Sequence, residues 1–321
     1  MATNNFGTLV NAELTYDIVD DLEADLDPLF NLAYDFGQED SDLGEVATAR
    51  PGSTIQITDF TYVATAYDVD PAVGYVAQNY AAKPQIPFTL PSAVKAASFS
   101  LTPEEFRVLQ GAPRQNVAYE NLRDKVRRGM RRGLQEEIVG DFLAVITAAA
   151  FPNNTPVAAG TFGRSTETTL DKELFKRNLA DRTNATVVLE PDAYGEWIDD
   201  HIATVHANTG QGQGARLISN GVTSSNSPFT FHRTNVDMPT DAARGFAFTR
   251  TAAIFVARAP DEPSTGDSDP VALEVVQGAR GMPFLMRAWK DPKTGNIQLD
   301  LATIYKFQAL QAEALERITL T

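Results

Sequence analysis

A chain of 321 residues, 43% hydrophobic and 21% charged, has the apolar content to bury a sizeable core in one large domain or in two to three smaller ones. Its formal net charge of -15 argues against nucleic acid as the principal partner, which would require a basic surface. The absence of cysteine excludes disulfides, thiolate catalysis, Cys-ligated zinc and iron–sulfur clusters, and no basic start with an apolar run or bilayer-length apolar window points to a secretory signal or a membrane span.

The charge is uneven along the chain. Residues 1–50 hold 12 acids against Arg50 alone, a net of -11, which leaves 30 acids and 26 bases in the other 271 residues. This segment is read as an acidic N-terminal arm. Its apolar residues Leu22, Leu26, Leu29, Phe30 and Leu32 predict at least a short amphipathic helix that docks on something. Residues 51–98 are rich in Val, Ile, Thr, Tyr and Phe and carry Pro51, Pro71, Pro84, Pro87 and Pro91. Each proline removes a ladder donor, so the segment is predicted as an extended two-stranded projection rather than part of a central sheet. A two-stranded ribbon is marginal alone and needs a neighbouring surface.

Thr102-Pro103-Glu104-Glu105 carries an N-cap, a first-turn proline and a glutamate placed to close a capping box, predicting a short helix that stops near Gly111. Residues 116–150 then run without proline, a rod of roughly 50 Å. On its helical wheel Leu122, Val126, Gly129, Gly133, Gly140 and Ala144 share one face, expected to admit another backbone closely. A neighbouring side carries Arg127 and Arg131 in the first half and Leu134, Ile138, Phe142 and Val145 in the second. The rod is thus predicted to begin as a basic surface helix and end as a core helix.

Beyond 165 the pattern is mixed. A helix is predicted over Asp171–Asp181, a buried strand over 185–189 and a helix from Pro191 to about His206, with further strands at 229–238, 245–260 and 271–278. Two strand-like runs close the chain, GMPFLMRAWK and NIQLDLATIYKFQALQAEALERITL, joined by a turn at 291–295.

Catalytic and metal motifs are weak. His201 and His206 are five apart on a helix, rotated about 140° from one another, and read with Asp199 and Asp200 as solvated polar residues. The GQGQG loop follows a helix and lacks the ending of a phosphate loop, and the acids at 261, 262, 267 and 269 lack the order of a calcium hand. No enzyme, cofactor or metal site is expected. The one concentrated basic feature is Arg123, Lys125, Arg127, Arg128, Arg131 and Arg132, either a solvated face or an interface.

The order of these parts resembles the major capsid protein of tailed double-stranded DNA bacteriophages, the HK97-like capsid fold. The resemblance rests on SFSLTPEEF (98–106), GFAFTRTAAIFVARAP (245–260) and the closing strand pair. It implies an α+β chain with the N-terminal arm at 1–50, the E-loop β-hairpin at 51–98, a peripheral domain with the spine helix at 99–164, an axial domain at 165–260 and return strands to the peripheral domain at 261–321. It further implies a structural protein that self-assembles into hexamers and pentamers of an icosahedral virion capsid, formed in the host cytoplasm. The implied partners are copies of itself, a portal, a separate scaffolding protein, in some members a decoration protein, and packaged DNA contacted non-specifically, with no membrane. The subunit-interface candidates are Arg123, Arg127, Arg128, Arg131 and Arg132 on the helix, Asp20, Asp21 and Asp25 on the arm, and Lys83 and Lys95 on the projection. Gly111, Pro113 and the ends of the projection are expected hinges. No Lys–Asn cross-link is expected at Lys83 or Lys95. An encapsulin-type compartment shares this fold, and a carboxylate-dependent hydrolase is the alternative of a different class.

Overall fold

The computed structural model describes residues 17–22, 26, 52, 54–58, 85–110, 117–177, 185–209, 229–234, 236–249, 252–261, 270–277 and 281–321. Two strands, β1 (Thr54–Thr58) and β2 (Gln85–Thr89), form an antiparallel ribbon whose outermost described pair is Thr58 opposite Gln85. The ribbon gives way before 98, because β3 (Lys95–Leu101) belongs to a five-stranded sheet. Helix α1 (Pro103–Gln110) starts at the predicted box: the Glu105 amide donates to Thr102 Oγ1 at 3.2 Å and the Thr102 amide donates to Glu105 Oε2 at 2.9 Å.

The long helix α2 (Val117–Val145) is 29 residues, about 44 Å. Its buried residues Leu122, Val126, Met130, Leu134, Ile138 and Phe142, followed by Ile146 just past its end, recur every four positions. Each such step turns the stripe by about 40° around a helix of 3.6 residues per turn. The core face therefore winds along the helix, so the first half is a core helix as well as a basic one, which corrects the division drawn from the sequence. The small-residue face also needs correction. A Cβ at Gly129 would meet the Phe99 ring at 3.1 Å and one at Gly133 would meet Ala97 at 3.7 Å, but Gly140 has nothing within 4 Å. Ala144 is exposed. Close approach ends where β3 ends.

The first sheet runs β3-β11-β10-β9, with β9 (Pro270–Gln277), β10 (Pro283–Lys290) and β11 (Ile297–Ala309); β8 (Ala253–Arg258) pairs with the far half of β11. The second runs β4-β12-β7-β5-β6, from β4 (Asn154–Val157), β5 (Thr186–Leu189), β6 (Thr230–Arg233), β7 (Gly245–Phe248) and β12 (Leu315–Leu320). The run at 245–260 and the closing run at 296–320, each read as continuous, both break and pass from one sheet to the other at the same place. There the Thr249 amide donates to the Ala314 carbonyl at 2.9 Å and the Leu310 amide to the Ala252 carbonyl at 3.0 Å. Two antiparallel neighbours bend together, and β12 joins the second sheet rather than returning to the first.

Helix α3 spans Arg164–Lys176, earlier than the predicted 171–181, because its start is capped from elsewhere. Asp200 accepts the Arg164 amide at 2.9 Å, and Glu196 accepts those of Gly160 at 2.7 Å and Phe162 at 3.0 Å. Both acids lie on α4 (Pro191–Thr209), whose Trp197 stacks on Phe231 with ring centroids 4.1 Å apart. Among the described residues no helix is long and apolar enough to cross a membrane.

Candidate functional site

Residues 17–22 are helical, and Ile18, Val19, Leu22 and Leu26 are all buried in the same core as Val126 and Met130 of α2. Four-residue spacing on both helices brings charges into line. Arg123 donates to Asp17, and Arg127 donates to Asp21. Arg131 stands 3.7 Å from Asp21. The hydrogen bond from Arg127 is the main reason Asp21 is held below the usual carboxylate range, with the Arg127 and Arg131 charges adding to it against the opposing effect of burial. Burial works against the charge of Arg123, but Asp17 and Glu120 outweigh it and leave this guanidinium raised. Asp17 was not among the candidate residues; the signal was its spacing from Asp21, which matches that from Arg123 to Arg127.

The other arginines of the cluster point elsewhere. Arg128 and Arg132 have side chains 80% and 81% exposed, each paired along its own helix, with Asp124 at 3.5 Å and Glu136 at 2.6 Å. Asp20 is exposed on the arm helix. Asp25 and Lys83 lie outside the described residues, as do the expected hinges at Gly111 and Pro113.

Lys95 sits on β3 rather than on the ribbon. Its ammonium donates to Glu137 and lies 3.3 Å from Asp141, whose other contact is the Tyr305 hydroxyl, donating at 2.7 Å. The Glu137 hydrogen bond raises the lysine above its ordinary value, and burial, helped by Asp141, pushes the tyrosine phenol up. The group ties β3, α2 and β11 together.

The other buried charged side chains among the described residues are held by hydrogen bonds or ion pairs. Arg244, 4% exposed, lies between Glu190 at 2.6 Å and Glu196. Burial pushes Glu196 up, but Arg244 and the Phe162 and Gly160 amides outweigh it and hold it low. Asp300 accepts from Ser98 at 2.5 Å, Arg287 at 2.5 Å and Trp289 at 2.8 Å. Arg317 donates to the carbonyls of Phe151 and Asp241, each at 2.6 Å. Sequence reading missed all of these, because each partner is distant in the chain. His201, read as solvated, is buried beside Trp197 with ring centroids 4.6 Å apart and its Nε2 3.9 Å from Glu167. The side chain of His206, the GQGQG loop and the acids at 262, 267 and 269 lie outside the described residues. Among the described residues no group of three His, Cys, Asp or Glu side chains could hold a metal ion.

A long helix with a winding core face, two sheets sharing one bent strand pair and a two-stranded ribbon make up an α+β arrangement. No family model and no curated protein matches the chain. Among solved structures, one from Mycobacterium phage Che8 aligns with 90% of this chain and 89% of its own at 13% identity, with a TM-score of 0.50. Another, from the capsid of cyanophage P-SCSP1u, aligns over 85% and 84% at 11% identity, also with a TM-score of 0.50. At these identities the likeness establishes the HK97-like fold that the sequence resembles.

Proposed function

We propose that the protein is the shell subunit of a tailed-phage capsid, assembling with copies of itself into hexamers and pentamers that enclose double-stranded DNA. The observation that carries this reading is the likeness over 85% of the chain to a chain of a cyanophage capsid. A projecting ribbon and an arm contribute many modest contacts, whose summed area suits a closed shell. The role is structural rather than enzymatic: among the described residues the buried carboxylates Glu167, Asp300 and Glu316 accept from Trp197, Arg287 and Arg177 respectively and serve packing. A portal and a scaffolding protein are further partners on this reading, with assembly in the host cytoplasm and the virion capsid as destination. Expression of the full chain, followed by sizing and electron microscopy, should give closed megadalton particles. A small discrete oligomer at all concentrations overturns the reading.

A further inference from the structure

The root of the ribbon has a core of its own. Phe88 and Leu90 are buried at 0% and 2% exposure in a cluster with Ile254, Val256 and Ile304, separate from the main core. The period of two along β8 explains it. Ala253, Phe255 and Ala257 face the main core, while Ile254 and Val256 face the other way and would be bare without the ribbon. On β11, Tyr305 and Phe307 face the main core, Ile304 faces the ribbon, and the Lys306 ammonium stands 5.0 Å from the centroid of the Phe88 ring. A hydrogen bond from Gln308 Nε2 to the Pro87 carbonyl at 3.1 Å completes the joint, and the Gly52 amide closes the ribbon's own base on the Leu90 carbonyl at 2.8 Å. A hinge needs exposed, lightly contacted backbone. This root is the reverse.

We propose that Phe88, Leu90, Ile254, Val256 and Ile304 are positioning residues for assembly: they clamp the ribbon to the β8–β11 pair so that ribbon and sheet move as one body and the ribbon meets a neighbouring copy at an angle set by this sheet. This replaces the hinge expected at the ribbon's inner end and rests on the shell reading above.

The test joins hydrogen exchange on the full-length subunit to microscopy of its particles. In the parent protein the amides of Ile86 and Phe88 should exchange as slowly as those of β11. Phe88→Ala should speed them by more than about tenfold while β11 next to β10 stays protected, and its particles should spread in diameter or fail to close. Ile304→Val, a milder cut, should act in the same direction to a smaller extent. Leu134→Ala in the main core serves as control, lowering the melting temperature without widening the diameter distribution. Fast exchange at β2 in the parent, or one unchanged diameter for Phe88→Ala despite lost protection, overturns the proposal. If the parent forms no particles, the shell reading fails, and the exchange data still decide whether the root is clamped.

Discussion

Single residues divide into those whose role depends on near neighbours in the chain and those whose role is set from afar. Gly245 is of the second kind. It has φ 139° and lies between Leu189 of β5 and Ile318 of β12, where a Cβ would overlap the Val188 carbonyl oxygen. Gly245→Ala should cost about 3 kcal/mol or more, from backbone strain and overpacking together, read as a lowered thermal midpoint. Gly133→Ala should do the opposite and stabilise by up to about 1 kcal/mol, since helix propensity improves and its Cβ would meet only Ala97, at 3.7 Å. Nothing in the sequence separates these glycines, because what differs is the strand or helix on the other side. The Thr102–Glu105 cap was legible since its partners are three apart, whereas the start of α3 was not, since Asp200 lies 36 positions from the amide it accepts. Asp21 yields a pH prediction. Its native proton affinity is lowered, so its contribution is complete above the ordinary carboxylate range and is lost as pH falls through that range, near pH 4 and below. Amide protection over residues 18–22 should fall in that window, and Asp21→Asn should lower protection at neutral pH and flatten the dependence. An unchanged profile in the Asn variant would show that the ion pair does not hold the segment.

At the scale of elements, hydrophobic period predicted helix and strand types well and their ends poorly. The run 245–260 has no proline before Pro260 at its end, and its only glycine is at its start, so nothing local announces that β7 and β8 belong to different sheets. The break is imposed where the strand pair bends. The ribbon was legible from its prolines and β-branched residues, but not its anchorage, which depends on β8 being buried on both faces. That anchorage sharpens an assembly test. Removing residues 59–84 and joining Thr58 to Gln85 through Asn-Gly preserves the last register pair and offers a two-residue hairpin turn. The clamp at Phe88 and Leu90 remains, so the subunit should fold with an unchanged thermal midpoint yet fail to close shells on sizing and microscopy. Normal shells from this variant would remove residues 59–84 from any role in assembly.

Across the whole molecule, the question is what the uneven charge does in a chain whose net of -15 is concentrated in the first 50 residues. Part of that acidity is met within the subunit, by Arg123, Arg127 and Arg131 against Asp17 and Asp21. These pairs are partly exposed and contribute under about 1 kcal/mol each, while burying Ile18, Val19, Leu22 and Leu26 contributes about 1.5–3 kcal/mol apiece. Apolar burial therefore holds the arm helix, and charge selects its register. The outward Arg128 and Arg132, paired along their own helix with Asp124 and Glu136, take no part in this and, on the proposed shell reading, are candidates to meet a neighbouring copy or packaged DNA. Reversing Arg127 and Arg131 to Glu sets two like charges beside Asp21. Empty-shell assembly without DNA should then fail or slow, and Asp21→Arg should restore part of it. Reversing Arg128 and Arg132 should leave empty shells intact and reduce the DNA retained after packaging. Both effects should weaken as salt shortens the Debye length below its physiological 8 Å or so. Normal empty shells from the Arg127/Arg131 variant would take the arm out of assembly, and failed empty shells from the Arg128/Arg132 variant would place that face at a subunit contact instead of against the genome.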